Sequence, residues 1–124
     1  MIKLQIDKVL SLHRLLTAQT GGDPALRDFA LLDSALASPF QTFHGQPLYP
    51  SVEEKGARLC FSLIANHAFV DGNKRMGMYA LLIFLSINGV AFHPTVEDVV
   101  RVGFAVAAGE MGYEDLLSWI RAVR

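Results

Sequence analysis

From Met76 to Val96 the chain carries no Asp, Glu, Lys or Arg. By length alone such a stretch can cross a membrane, for which about 20 apolar residues suffice. It is interrupted, however, by Asn88-Gly89, a helix-stop pair, and then by Pro94. The helical part is therefore too short to span. A helix apolar on nearly every side belongs instead at the buried centre of a fold. The rest of the chain must supply the layers that cover it. With 124 residues, 52% apolar and 19% charged, it is long enough to do so as a single domain, residues 1–124. It is also too apolar for disorder to be its main state.

The covering layers read as further helices, with no internal repeat, low-complexity tract or linker between them. Asp7 is placed to cap a first helix carrying Val9, Leu10, Leu12, Leu15 and Leu16, stopped at Gly21-Gly22. Asp28 caps a second through Leu31, Leu32, Ala35 and Leu36, halted by Pro39. The segment Phe40 to Pro50 holds Gly45, Pro47 and Pro50 and reads as a loop or irregular extended stretch. Ser51-Val52-Glu53-Glu54 fits a capping box opening a third helix. The apolar stripe of that helix, Val52, Gly56, Leu59, Cys60, Leu63 and Ile64, is continued by His67. After a break at Asp71-Gly72 the uncharged helix runs from about Asn73 or Lys74 to Ile87, with Met76, Met78, Tyr79, Leu81, Leu82, Ile83, Phe84 and Leu85 around it. Thr95 opens a fifth helix ending near Gly109, and Tyr113 to Val123 forms a sixth. The expected fold is all-α: a helical bundle around one buried helix.

Charge and cysteine content exclude several functions. Eleven Lys and Arg against 12 Asp and Glu give a net charge of −1. That leaves no basic excess for a nucleic-acid backbone or an anionic membrane. Cys60 is the only cysteine, so neither an internal disulfide nor a cysteine-based zinc site is available, which points to a reducing compartment. Cys60 sits mid-helix on an apolar face, a packing position. Met1 to Gln5 lacks the apolar core of a signal peptide, and the expected location is the cytoplasm. P-loop, Gly-x-Gly-x-x-Gly and Gly-x-Ser-x-Gly patterns are missing, and His13, His44 and His93 have no zinc-type spacing.

The chemistry concentrates in His67-Ala68-Phe69-Val70-Asp71-Gly72-Asn73-Lys74-Arg75. A glycine-containing loop that leads into a helix presents unpartnered backbone N–H groups and the positive end of the helix dipole, an anion site by construction. Lys74 and Arg75 place two cations in that first turn, where they oppose the dipole; a phosphate between them would reverse the sign of the effect. Asn73 can order the loop or donate to an oxyanion, and Phe69 is positioned as a packing anchor. Asp71 offers a hard carboxylate oxygen suited to Mg²⁺ held together with phosphates. His67 is a group able to accept a proton from an attacking hydroxyl. Taken singly, His67 reads as a core histidine, Asp71-Gly72 as an ordinary turn and Lys74-Arg75 as a solvated patch. Taken together, base, metal ligand, anion hole and two cations form a phosphoryl- or nucleotidyl-transfer set.

These residues resemble the signature of the Fic/Doc family, His-x-Phe-x-Asp/Glu-Gly/Ala-Asn-Gly/Lys-Arg. Lys74 matches the death-on-curing (Doc) branch, where AMP-transferring Fic proteins carry Gly. Similar landmarks occur at Gly21-Gly22, Leu26-Arg27-Asp28, Leu32 to Leu36, Pro39, Phe43, Gly45, Leu48-Tyr49-Pro50, Glu54-Lys55, Phe84-Leu85 and Asn88-Gly89. The resemblance implies an all-helical Fic/Doc fold and the toxin of a toxin–antitoxin pair. It implies a protein kinase that uses ATP and Mg²⁺ to modify a hydroxyl of elongation factor Tu and so arrests translation. Carried over by position, His67 is the base, Asp71 the magnesium ligand, and Lys74 completes the catalytic set. Gly72, Asn73, Lys74 and Arg75 hold phosphate. Phe40 to Tyr49 corresponds to a reduced form of the flap that docks targets in Fic proteins.

Three positions depart from the pattern: Ala68 stands for a common Pro, Met76 for a common Thr, and Met78 for the second Arg of AMP-transferring relatives. The last argues against AMP transfer, which is the competing activity; a non-catalytic binding module on the same fold is the third reading. The chain has no Ser/Thr-x-x-x-Glu inhibitory motif, so inhibition falls to a separate, Phd-like antitoxin whose tail folds into a groove.

Overall fold

Helix ends in the computed structural model, which describes residues 1–123, fall where orphan backbone groups find partners. Among the described residues there are six α-helices: α1 (Ile6–Thr20), α2 (Phe29–Ala37), α3 (Val52–Asn66), α4 (Asn73–Ile87), α5 (Val96–Ala107) and α6 (Tyr113–Val123). Asp28 caps α2 by accepting from the Leu31 N–H, and Thr95 caps α5 by accepting from the Asp98 N–H. At Ser51 both halves of the capping box are formed. Gly21, at φ 82°, ends α1 with its N–H on the Thr17 carbonyl. Pro39 lies in a short 3₁₀ turn (Ser38–Phe40) that closes α2.

The segment after it is extended, as its composition suggests. Residues Thr42–Phe43 (β1) pair antiparallel with Gln46–Pro47 (β2). His44 and Gly45 between them both take positive φ, as a two-residue hairpin of primed type requires. The hairpin is exposed throughout.

The central pair of the bundle is α3 and α4, with α6 and α2 against α3 and with α5 and α1 against α4. Two glycines set how closely α3 and α4 approach. A Cβ on Gly77 would lie 2.6 Å from Ile64 Cγ1 and 3.1 Å from the Cys60 carbonyl oxygen, and one on Gly56 would meet Leu81 and Leu85 at 3.0 Å. Phe84, Leu81, Leu85 and Met76 of α4 and Leu63, Ile64 and Cys60 of α3 are all buried at this contact. No helix among the described residues is long and apolar enough to cross a membrane.

Four local expectations are corrected. Gln5, not Asp7, occupies the N-cap of α1; Asp7 lies inside the first turn, where its carboxylate faces the positive end of the dipole. The buried face of α1 is Val9, His13 and Thr17, while Leu15 is exposed. The α4 helix is not apolar-and-buried on every side: Tyr79 is 48% exposed, because a cavity separates its outer face from α5. His67 does not continue the α3 stripe. It is the C-cap, in left-handed backbone, with an exposed side chain.

Candidate active site

The segment between α3 and α4 is held from two directions. At its start, His67 adopts φ 49° and ψ 50°, a conformation costly for a residue with a Cβ. Arg27 holds this corner: its Nε donates to the His67 carbonyl at 2.7 Å and its Nη2 to the Asn66 carbonyl at 3.2 Å. The Ala68 carbonyl then accepts the N–H groups of Arg27 and Asp28, and the Val70 N–H donates to Ala25. The segment between α3 and α4 is thus pinned to residues 25–28, between α1 and α2.

From below, Phe69 is buried, as a packing anchor should be, and its ring stacks on that of His13 with centroids 3.6 Å apart. Asn73 reaches back to Phe69: its Oδ1 accepts the Phe69 N–H at 3.1 Å and its Nδ2 donates to the Phe69 carbonyl at 2.9 Å. That pair fixes the amide orientation, so Nδ2 faces His67 Nδ1, 3.4 Å away. Of the two roles open to Asn73, loop ordering is the one its side chain performs here.

Gly72, at φ 82°, is the N-cap of α4 and offers no side-chain cap, and the first turn contains no acid. The N–H groups of that turn are therefore available, and Lys74 and Arg75 stand beside them with no carboxylate of the described residues in salt-bridge range. The ion pairs found among the described residues are Arg101–Asp98 and Arg121–Glu54. Lys74 Nζ lies over the Phe104 ring, 3.8 Å from its centroid. Gly22 is needed at close quarters: a Cβ there would lie 3.3 Å from Asp71 Cβ and 3.6 Å from Arg75 Nη2.

Asp71, Gly72, Asn73, Lys74 and Arg75 line one end of a cavity of about 740 Å³ between α4 and α5, whose other wall carries Tyr79, Leu82, Val96, Val100 and Phe104. His67 does not line it. Its side chain borders a separate hollow of about 320 Å³ with Phe61, Ile64, Val106 and Met111. The structure therefore brings five of the six sequence-derived site residues to one cavity, while the sixth, His67, borders the neighbouring hollow and touches the cavity residue Asn73 through Nδ1.

The donor set fits a magnesium ion carried by a nucleotide. Asp71 Oδ2 accepts the Asp23 N–H at 3.0 Å, which orients the carboxylate, and no hydrogen bond is found on Oδ1. Among the described residues no cluster of three or more His, Cys, Asp and Glu forms a cage of its own. A lone oriented carboxylate beside an anion site is the arrangement in which phosphates complete the coordination. Cys60 is fully buried, and burial pushes its thiol well above the usual range. It packs against Met78 Sδ at 3.6 Å and is no nucleophile.

Reading the sequence missed His13 and Arg27 as supports of the site. The signal for His13 was the i, i+4, i+8 series Val9, His13, Thr17, which a count of apolar residues alone passes over. Arg27 carried no local signal, because its partners lie 39 and 40 residues away.

The site is thus the loop that opens the central helix of a helical bundle, with a histidine before it and two cations after it. The chain belongs to the Fic/DOC family, whose model matches residues 3–85. Members of this family are generally transferases that act on proteins and use nucleotides. Within the family the likeness is to the Doc branch. Over 70 residues the chain is 50% identical to "Toxin Doc" of Mycolicibacterium smegmatis, a match covering 56% of this chain and 54% of that relative. The match thus spans about half the length of the relative.

Proposed function

We propose that this chain, working as one domain over residues 1–124, is a Doc-type toxin that transfers the γ-phosphate of ATP to a protein hydroxyl. The observation that carries the reading is the Gly72-capped start of α4, where free N–H groups, Lys74 and Arg75 meet the oriented carboxylate of Asp71 in one cavity. Triphosphate binds there, on the amides of Gly72, Asn73 and Lys74 and on the two cations. Asp71 would hold Mg²⁺ together with the phosphates, and the ion would neutralise charge on the transferred group. The target hydroxyl approaches from the His67 side of the loop. Its oxygen bonds to the γ-phosphorus, the bond from that phosphorus to the ADP oxygen breaks, and the hydroxyl proton passes to the His67 ring.

The tautomer of His67 sets a further requirement. A ring whose Nδ1 accepts from Asn73 keeps its hydrogen on Nε2. For Nε2 to receive the substrate proton, the 3.4 Å contact must open and the hydrogen must move to Nδ1.

Kinase activity is favoured over AMP transfer by position 78. Met78 lines the same cavity as Asp71, Lys74 and Arg75 and packs against Cys60, so it puts an uncharged thioether where AMP-transferring relatives carry a cation. The target is a translation factor, elongation factor Tu on the resemblance, and the site of action is the cytoplasm. The cognate antitoxin is a separate Phd-like chain, and the exposed apolar wall of the cavity (Val96, Val100, Phe104, Tyr79) supports docking of its amphipathic tail.

ATP labelled at the γ- or the α-phosphate, incubated with cell extract and the purified chain, tests this reading. Label from the γ-position on a protein band, lost in His67→Ala and Asp71→Ala, is the expected result. Label from the α-position would establish AMP transfer instead. A wild-type chain that transfers neither label and does not arrest growth without antitoxin would leave only the non-catalytic module.

A further inference from the structure

We infer that His13 is a positioning residue for the Asp71–Gly72 corner: its Nε2–H fixes the Asp71 carbonyl, and through it the direction of the Asp71 carboxylate and the start of α4. The inference rests on the nucleotide-binding reading above for its functional consequence and on geometry for everything else.

His13 is fully buried on α1, 58 residues from its partner, with Nε2 2.6 Å from the Asp71 carbonyl oxygen. A carbonyl only accepts, so the hydrogen is on Nε2. Nδ1 is buried without a partner, which is tolerable for a bare lone pair and costly for an N–H. Both nitrogens therefore specify one tautomer. The ring is locked against rotation by its stack on Phe69. The fit against Gly72 is equally close: a Cβ there would lie 3.3 Å from His13 Nε2. The left-handed turn that opens α4 is thus formed directly on the imidazole edge. Asp71 is consequently held twice, at its carbonyl by His13 and at Oδ2 by the Asp23 N–H, leaving Oδ1 as the oxygen with a set direction. An unanchored carbonyl would let the Asp71–Gly72 peptide rotate, which turns the carboxylate and the first N–H groups of the helix together.

Two substitutions separate the parts of this support. His13→Phe keeps a ring to stack on Phe69 and loses the donor. His13→Gln gives up the ring and returns a donor at the reach of Nε2. Calorimetry of ATP binding, with and without Mg²⁺, is the functional readout. His13→Phe is expected to lose about tenfold in ATP affinity with Mg²⁺, the scale of one buried hydrogen bond, and a smaller factor without Mg²⁺, because the Gly72 N–H turns with the carbonyl. His13→Gln is expected to recover most of that loss. Equal Mg²⁺-dependent binding in wild type and His13→Phe, or a His13→Gln variant no better than His13→Phe, would overturn the inference, since a merely structural role gives no rescue by a donor.

Nitrogen chemical shifts of His13 in the wild-type chain supply a second test that needs no variant. A hydrogen found on Nδ1 overturns the proposal even if His13→Phe does not fold. If the wild type shows no Mg²⁺-dependent ATP binding, the functional reading fails on its own. His13 is then judged by amide exchange at Val70 and Met76, which bond to Ala25 and Gly72. Faster exchange in His13→Phe, restored in His13→Gln, upholds its positioning of the corner, and unchanged exchange refutes it.

Discussion

His67 carries two conflicting demands at one position. The chain needs a left-handed corner to turn out of α3, and the proposed chemistry needs an imidazole there; glycine would satisfy the first without strain. The cost of a side chain in this conformation, about 1 kcal/mol or more, is offset locally by Arg27, whose guanidinium occupies the His67 and Asn66 carbonyls. His67→Gly is therefore expected to be as stable as wild type or up to about 1 kcal/mol more stable in urea unfolding, while label transfer disappears. His67→Ala should lose the same activity without that gain. The same logic at Gly72 has the opposite sign. Alanine at φ 82° would be strained and would press on His13, so Gly72→Ala should lower stability by about 1–2 kcal/mol and weaken ATP binding. The grouping of Asp71, Gly72, Lys74 and Arg75 at the start of α4 was legible in the chain because the physics of a helix start is local. The supports were not, because His13 and Arg27 act only on carbonyls distant in sequence.

At the scale of elements, caps and close contacts decide what holds α3 and α4 together. The Ser51 box satisfies two orphan groups in a half-exposed setting, and Ser51→Ala should cost about 1 kcal/mol in the unfolding free energy without moving activity. Gly77→Ala tests two effects that oppose each other. Intrinsic helix propensity favours alanine by up to about 1 kcal/mol. The new Cβ would meet Ile64 at 2.6 Å and the Cys60 carbonyl at 3.1 Å, and overpacking against backbone costs about 1–3 kcal/mol. Packing should win, and a net loss of stability in denaturant titration is the expected result. A gain would show that α3 and α4 can separate. The helix boundaries themselves were readable, since Asp28, Ser51, Thr95 and Gly21 act on groups within a few residues. The face that each helix buries was less so: Leu15 looks like core and is exposed, whereas His13 and Thr17 look polar and are buried.

For the molecule as a whole, the buried α3–α4 contact makes Cys60 a reporter of global opening. Its thiol is sealed at 0% exposure and held in the unreactive protonated form by burial. Labelling by a thiol reagent should follow the unfolding equilibrium, slow in water and rising steeply with urea; fast labelling of the native chain would contradict the packing described. What the sequence by itself determined is the uncharged central helix, its caps, and the loop in front of it, because hydrophobic periodicity, capping and the helix dipole all operate over a few residues. It also carried the family, through a contiguous motif. Tertiary structure alone decided that α4 leaves one side open to a cavity and that His67 borders a second hollow beside it. It alone decided that the loop between α3 and α4 rests on a histidine from the first helix. These are outcomes of how distant segments pack, and packing distances between segments are not encoded in any local pattern of residue types.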